Sequence, residues 1–165
     1  MKTIKGLALM IALCVSVLVV KAQNNIDVIT KDYYSVKNAL ANGHGSDAQA
    51  SAKILFAALS DHPEQGLNPD QQKILDTYLD KLKFDSRHMS ESDAIEHQRE
   101  HFASLSKNLY EVLKGLKTNT AVVYVQYCPM KKAYWLSETA AIKNPYYSDT
   151  MPTCGKTAAT LAAIK

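Results

Sequence analysis

Four sulfur-containing side chains lie close together in the C-terminal third of the chain. They are Cys128, Met130, Met151 and Cys154. Thiolate and thioether sulfur are soft ligands, which favour Cu(I) and similar ions over hard cations. If the intervening segment folds back on itself, two to four of these sulfur atoms can meet. The spacing therefore points to a soft-metal site.

The same two cysteines also form an even pair, because Cys14 lies in a segment that we expect to be removed. A Cys128–Cys154 disulfide would close a loop of roughly 25 residues and stabilise the fold by about 3 to 3.5 kcal/mol in the chain-entropy model. A reversible pair can also alternate between disulfide and metal-binding thiols. The residues alone leave both alternatives open.

Two histidines offer a different kind of ligand. His97 and His101 are four residues apart in a predicted helix, and therefore lie one turn apart on the same side. This spacing suits a metal ion, but it matches no catalytic zinc motif. His88 and Met89 come just before that helix and add an imidazole and a thioether nearby. The alternative is a pair of solvated histidines beside the core.

Aromatic residues are concentrated around the sulfur residues. Trp135 is the only tryptophan, and Tyr127 and Tyr146 are close to it in the sequence. One interpretation is a small aromatic core that covers the helices. The other is an aromatic wall against which a ligand binds.

The first 22 residues have the pattern of a cleavable signal peptide. Lys2 and Lys5 precede a 14-residue apolar run over residues 7–20, which is short for a membrane span. We therefore predict export to the periplasm and no membrane insertion after cleavage. Residues 23–165 are then one domain, in a compartment that permits disulfides.

Charge argues against nucleic acid as a partner. The whole chain has 19 basic and 16 acidic residues. Removal of the leader takes away Lys2, Lys5 and Lys21 and leaves 16 of each sign. A formally neutral domain lacks the basic surface that nucleic-acid binding requires.

Periodic apolar residues predict a mainly helical fold. Four helical segments are predicted. The first three cover residues 26–40, 48–59 and 69–82, and the fourth runs from Ser90 to about Thr118. Asn68-Pro69 is a strong helix start, and Ser90 with Asp93 resembles a capping box. Short connections favour an antiparallel four-helix bundle.

The C-terminal third follows a different pattern. Residues 120–127 are β-branched and aromatic, which predicts a strand, and residues 133–136 predict a second short strand. Alanine-rich residues 156–165 favour a short closing helix. We therefore expect a small strand and loop appendage on the helices.

The sequence contains no pattern typical of an enzyme. It has no glycine-rich phosphate loop, no His-Glu-x-x-His motif and no nucleophile elbow. Cys128 with His97 or His101 could form a nucleophile and base, but no third group or oxyanion feature supports that pairing. We predict a protein that is not an enzyme.

Five segments resemble a family of exported bacterial proteins, domain of unknown function 3347, common in Bacteroidetes. They are residues 95–102, 125–130, 133–137, 142–147 and 151–155. Such domains often accompany periplasmic adaptors of copper and silver efflux systems. The Tyr-Cys-Pro-Met segment is also similar to heavy-metal-binding modules of those exporters, which pair Cys-Pro-Met with a later Cys-Gly. The resemblance implies copper as the ligand, and it favours His101 and then His97 as further ligands.

The leading hypothesis is therefore an exported protein that binds Cu(I) and buffers it or passes it to an efflux partner. Its predicted ligands are Cys128, Met130, Met151 and Cys154, with His101 and His97. The alternative is a metal-free module in which the Cys128–Cys154 disulfide holds a docking surface for another envelope protein.

Overall fold

A computed structural model describes residues 25–61 and 63–164, so the predicted leader lies outside the described residues. The fold is mainly helical, as predicted. The helices are α1 (Asn25–Ala41), α2 (Gly45–Ser60), α3 (Pro69–Ser90) and α4 (Ile95–Leu116). No described helix is long and apolar enough to cross a membrane.

The start of α3 follows the capping signal in the sequence. The Asn68 side chain accepts hydrogen bonds from the backbone N–H groups of Asp70 and Gln71. The Gln71 side chain in turn accepts from the backbone N–H of Asn68. This reciprocal box satisfies N–H groups that have no partner inside the helix. Pro69 occupies the first helical position, as predicted.

The predicted start of the fourth helix at Ser90 was wrong, because α4 begins at Ile95. Ser90 is instead the last residue of α3, and its Oγ donates to the Arg87 carbonyl. The apolar side of α3 continues to Met89, which is fully buried. Burial therefore extends α3 through the position that resembled a cap.

The core forms where the apolar sides of the helices meet. α1 packs against α2, α2 against α3, and α3 against α4. The largest buried apolar and aromatic side chains of the helices are Ile26, Tyr33, Leu40, Leu55, Leu59, Leu75, Leu82, Met89, Phe102 and Leu105. The bundle arrangement itself stays a prediction.

The C-terminal third forms a three-stranded antiparallel sheet. Its strands are β1 (Val123–Cys128), β2 (Ala133–Ser137) and β3 (Lys156–Leu161), in the order β2-β1-β3. The two predicted strands are confirmed. The predicted closing helix over residues 156–165 was wrong, since residues 156–161 form β3. Pairing with the open edge of β1 outweighs the strong helix preference of the alanines, and the β-branched Thr157 and Thr160 favour the strand.

A buried tyrosine connects the sheet to the helices. The Tyr33 hydroxyl on α1 lies 2.7 Å from Ser106 Oγ on α4 and accepts a 3.0 Å hydrogen bond from the Leu136 backbone N–H on β2. Burial raises the pKa of Tyr33 well above its ordinary value. The hydroxyl therefore stays neutral and fixes β2 against two helices.

An ion pair between a buried lysine and a partly exposed glutamate makes a second connection. Lys37 Nζ on α1 lies 2.8 Å from Glu138 Oε2, and the Lys37 side chain is only 2% exposed. Asn38 Nδ2 also donates to Glu138. Burial lowers the pKa of Lys37. Burial opposes ionisation of Glu138, but the hydrogen bonds from Lys37 and Asn38 outweigh it and lower the pKa of that carboxyl.

We expect Glu138→Ala to destabilise the protein by about 1 to 3 kcal/mol at neutral pH, because it leaves a buried ammonium unpaired while Glu138 itself is partly exposed. Lys37→Met should be close to neutral, since it removes the buried charge and keeps the apolar volume. The Glu138 contribution is complete above the ordinary pKa of 4.5 and disappears as pH falls through the lowered pKa of the folded state. Urea unfolding at several pH values measures both effects, and equal losses in the two variants would contradict this account.

Candidate functional site

Cys128 is the last residue of β1, and its thiol is completely buried. Its Sγ accepts hydrogen bonds from the Asn144 side-chain amide at 3.3 Å and from the Lys131 backbone N–H at 3.4 Å. Two N–H donors are thus directed at one buried sulfur atom, and they hold it in a fixed position at the end of β1.

Cys154 reaches the same place through the pairing of β1 with β3. The register places Tyr127 opposite Lys156, so the segment just before β3 lies beside the end of β1. Asn144 Nδ2 donates to the Cys154 carbonyl at 2.7 Å, in addition to its bond to Cys128. Both cysteines are free, and Cys154 is half-buried. The structure therefore brings together two thiols that are distant in sequence.

The two thiols lie close enough to influence each other's ionisation, since Asn144 Nδ2 bonds both to Cys128 Sγ and to the Cys154 carbonyl. The pKa of Cys154 is raised by desolvation, by the negative charge of an ionised Cys128 and by the hydrogen bond between the two thiols. Deprotonation of one thiol therefore disfavours deprotonation of the other. A cation between the two sulfurs would remove this repulsion.

The two methionines lie in turns beside the cysteines. Met130 follows Cys128 in the turn between β1 and β2, and its side chain is 62% exposed. Met151 is half-buried, and its carbonyl accepts a hydrogen bond from the Cys154 backbone N–H. Both are near the thiols along the chain. Their role as ligands stays a prediction.

Gly155 allows Cys154 to lie close to the sheet. Its φ of +151° is in a region that favours glycine, and a Cβ there would lie 2.7 Å from Trp135 Cη2. The absence of a side chain lets the backbone pass directly over the Trp135 ring. Gly155 thereby fixes the approach of Cys154 to β1.

The aromatic residues near the site are mostly part of the core. Trp135 is completely buried, and Tyr146 is 2% exposed and forms an edge contact with it. Tyr127 is half-buried and packs against Tyr134, with ring centroids 4.7 Å apart. This placement fits an aromatic core beneath the thiols, which was the first of the two interpretations.

The imidazoles lie on the other side of α4. Arg99 is two residues from both His97 and His101, and therefore points in a nearly opposite direction. Its guanidinium donates to the Pro145 carbonyl and to Ser148 Oγ, in the loop that carries Asn144. The histidines instead face α3. The structure thus separates the sulfur residues from the predicted histidine ligands.

A family model described as protein of unknown function (DUF3347) matches residues 29–121, more than half of the chain. The chain belongs to this family. No curated protein and no solved structure matches it. The DUF3347 match runs from α1 to just before β1, so it includes His97 and His101 and ends before all four sulfur residues. The family assignment from the sequence is confirmed, whereas the link to efflux adaptors stays a prediction.

Two residues of this DUF3347 chain, Asn144 and Asp85, were missed as parts of a candidate site, and His88 was noted only as an imidazole near the fourth helix. Asn144 lies in one of the segments that resemble the family, and its side chain bonds to Cys128 Sγ and to the Cys154 carbonyl. His88 and Asp85 lie on α3, opposite His97 and His101. Antiparallel pairing across the short turn between α3 and α4 predicts this meeting. Pairing residues of α3 with residues of α4 at equal distances from the turn would have identified both residues.

Proposed function

We propose that this protein is an exported, periplasmic metal-binding protein that takes up Cu(I) or a similar soft ion through Cys128 and Cys154. It buffers the ion or passes it to an efflux adaptor or another envelope protein. In this proposal the helices form an antiparallel bundle that carries the site, and the protein has no enzymatic role. The leader pattern supports export, and the neutral charge balance argues against nucleic acid.

The observation that carries the proposal is the proximity of two free thiols, which the Asn144 side chain connects through its bonds to Cys128 Sγ and the Cys154 carbonyl. Two thiolates are a sufficient ligand set for a soft monovalent ion, because such ions accept low coordination numbers and prefer sulfur. Asn144 and the Lys131 backbone N–H already point at Cys128. Outer contacts of this kind orient a ligand and tune its charge before the metal arrives.

The solvent exposure of the sulfur residues is consistent with transfer of the ion to a partner protein. Cys128 is fully buried, whereas Cys154 is half-buried and Met130 is exposed beside them. An ion would first meet the outer sulfurs and then reach Cys128. Met130 and Met151 serve in this proposal as weaker thioether ligands on that path.

Protection from alkylation tests the proposal. The reduced mature protein, residues 23–165, is treated with a thiol-alkylating reagent with and without one equivalent of Cu(I), under anaerobic conditions. We expect Cu(I) to slow the modification of the half-buried Cys154, as read by peptide mass spectrometry, whereas the completely buried Cys128 is modified slowly in either case. Equal modification rates with and without Cu(I) would contradict the proposal.

The same proximity of the two thiols favours one alternative function. A Cys128–Cys154 disulfide would tie the segment before β3 to the end of β1, and the C-terminal loop would then be a metal-free docking surface. That alternative predicts no free thiols after purification without reductant, and a large drop in melting temperature on reduction. The number of free thiols distinguishes the two functions.

A further inference from the structure

A second group of potential ligands lies between α3 and α4, on the side of α4 that faces away from the thiols. His88 belongs to the last turn of α3, and His97 and His101 lie one turn apart on α4. One ligand atom from each histidine lies within 4.8 Å of the others. The ring centroids of His88 and His97 are 4.8 and 4.7 Å from that of His101.

Hydrogen bonds from a buried glutamine fix the helical hairpin of α3 and α4 that carries these histidines. The Gln98 side-chain amide, which is completely buried, donates to the Ser92 carbonyl at 2.6 Å and to the Gly45 carbonyl at 2.9 Å. These bonds fix the turn between α3 and α4 and connect it to α2. Side chains on fixed helices keep their relative positions better than side chains on loops.

A buried carboxylate orients one of the three rings. Asp85 Oδ1 lies 3.0 Å from His101 Nδ1, and the Asp85 side chain is 4% exposed. A carboxylate can only accept a hydrogen bond, so Nδ1 is the donor in this pair, and in the neutral ring Nε2 then offers its lone pair to a metal. A carboxylate that receives the other N–H of a histidine is the usual outer partner of a metal-binding imidazole.

A nearby cation would also stabilise the buried carboxylate of Asp85. Its Oδ2 is buried without a hydrogen-bond partner, and no other side chain of the described residues forms an ion pair with Asp85. A buried carboxylate with so few partners is costly unless positive charge is close. A metal ion on the far side of the His101 ring would supply that charge.

We propose that His88, His97 and His101 form a second metal site, which takes a borderline divalent ion such as Zn(II) or Cu(II). Three neutral imidazoles without a thiolate suit these ions rather than the soft ion of the thiol pair. Zn–N bonds of about 2.0 to 2.1 Å place tetrahedral ligand nitrogens about 3.4 Å apart. The His88 and His101 rings are stacked at 11°, so one of them would rotate to direct its nitrogen at a shared ion. A fourth position stays open to water or to an incoming ligand.

Phe84 marks the open side of this imidazole site. Its ring centroid lies 4.3 Å from that of His88 and 5.8 Å from that of His101, and the side chain is 56% exposed. An apolar ring at this position shields part of the site from water and strengthens the attraction between the ion and its ligands. His88 and His101 are nevertheless only half-buried, so an ion can enter.

The test uses the variant Cys128→Ser/Cys154→Ser, so that no thiol contributes. Zn(II) binding is measured by competition with a chromogenic chelator, and Co(II) absorption reports on the coordination geometry. We expect one equivalent of Zn(II) to bind. Asp85→Asn should weaken binding by about 10- to 100-fold, and His88→Ala or His101→Ala by at least about as much.

His44→Ala is the matched control, because the His44 side chain is 61% exposed and pairs with Asp47 instead. It should leave Zn(II) affinity unchanged. Circular dichroism confirms that each variant is folded, and His88→Ala keeps the test decisive if Asp85→Asn does not fold. Unchanged affinity in His88→Ala and His101→Ala, or equal loss in His44→Ala, would overturn the site. Failure here leaves Cu(I) binding by the wild-type thiols unaffected, so the two proposals fail separately.

Discussion

Cys128→Ser/Cys154→Ser is expected to lower Cu(I) affinity by about a thousandfold or more, equivalent to about 4 kcal/mol of binding free energy. The two thiols are the soft ligands that the structure places close together, and serine offers only a hard oxygen. Each single variant should lose most of the affinity, because one thiolate and thioethers hold Cu(I) less tightly than two thiolates. Competition titration against a Cu(I) chelator measures the change.

Met130→Leu provides the comparison for this prediction. The Met130 side chain is 62% exposed, so leucine replaces it with little effect on the fold. We expect a much smaller loss of Cu(I) affinity than in the cysteine variants. His101→Ala should leave Cu(I) affinity unchanged, because His101 lies on the other side of α4. Unchanged affinity after loss of both cysteines would contradict the assignment.

Trp135→Ala is expected to destabilise the protein by about 3 to 5 kcal/mol. The Trp135 side chain is completely buried, and it packs against Tyr146 and beneath Gly155. Truncation would leave a large cavity between the sheet and the segment that carries Cys154. Since domains of this size are stable by only about 5 to 15 kcal/mol, the variant would lose much of its stability.

Trp135→Phe is the matched control. Phenylalanine keeps an aromatic ring, and it removes an indole N–H that is buried without a hydrogen-bond partner among the described residues. Removing this unpaired buried donor is favourable, so it offsets part of the free energy lost through poorer packing. Urea unfolding should therefore show a clearly smaller effect than for alanine. A loss below about 1 kcal/mol in Trp135→Ala would show that the ring does not support the sheet.

The helical part of the fold could be predicted because its signals are local. Asn68 and Pro69 mark the start of α3 through hydrogen bonds within one turn. The start of α4 could not be read in the same way, since Ser90 resembles a cap but burial of Met89 extends α3 past it. Local signals thus failed where packing between helices decided the boundary.

The two candidate sites differ in how far the sequence reveals them. Contact between Cys128 and Cys154 depends on the pairing of β1 with β3. Residues 156–161 were predicted as helix, so no register was available to place Cys154 beside Cys128. The meeting of His88 with His97 follows from a short hairpin between helices. That contact could have been predicted from the sequence, because it requires only that α3 and α4 pack antiparallel across the turn between them.

The most direct test of the central claim is an anaerobic Cu(I) competition titration of the reduced mature protein, residues 23–165, against a chromogenic chelator. We expect the protein to withdraw one equivalent of Cu(I) from the chelator, and Cys128→Ser/Cys154→Ser to withdraw none at the same chelator concentration. Failure of the reduced wild-type protein to withdraw copper would contradict the account and favour the disulfide-tied docking module.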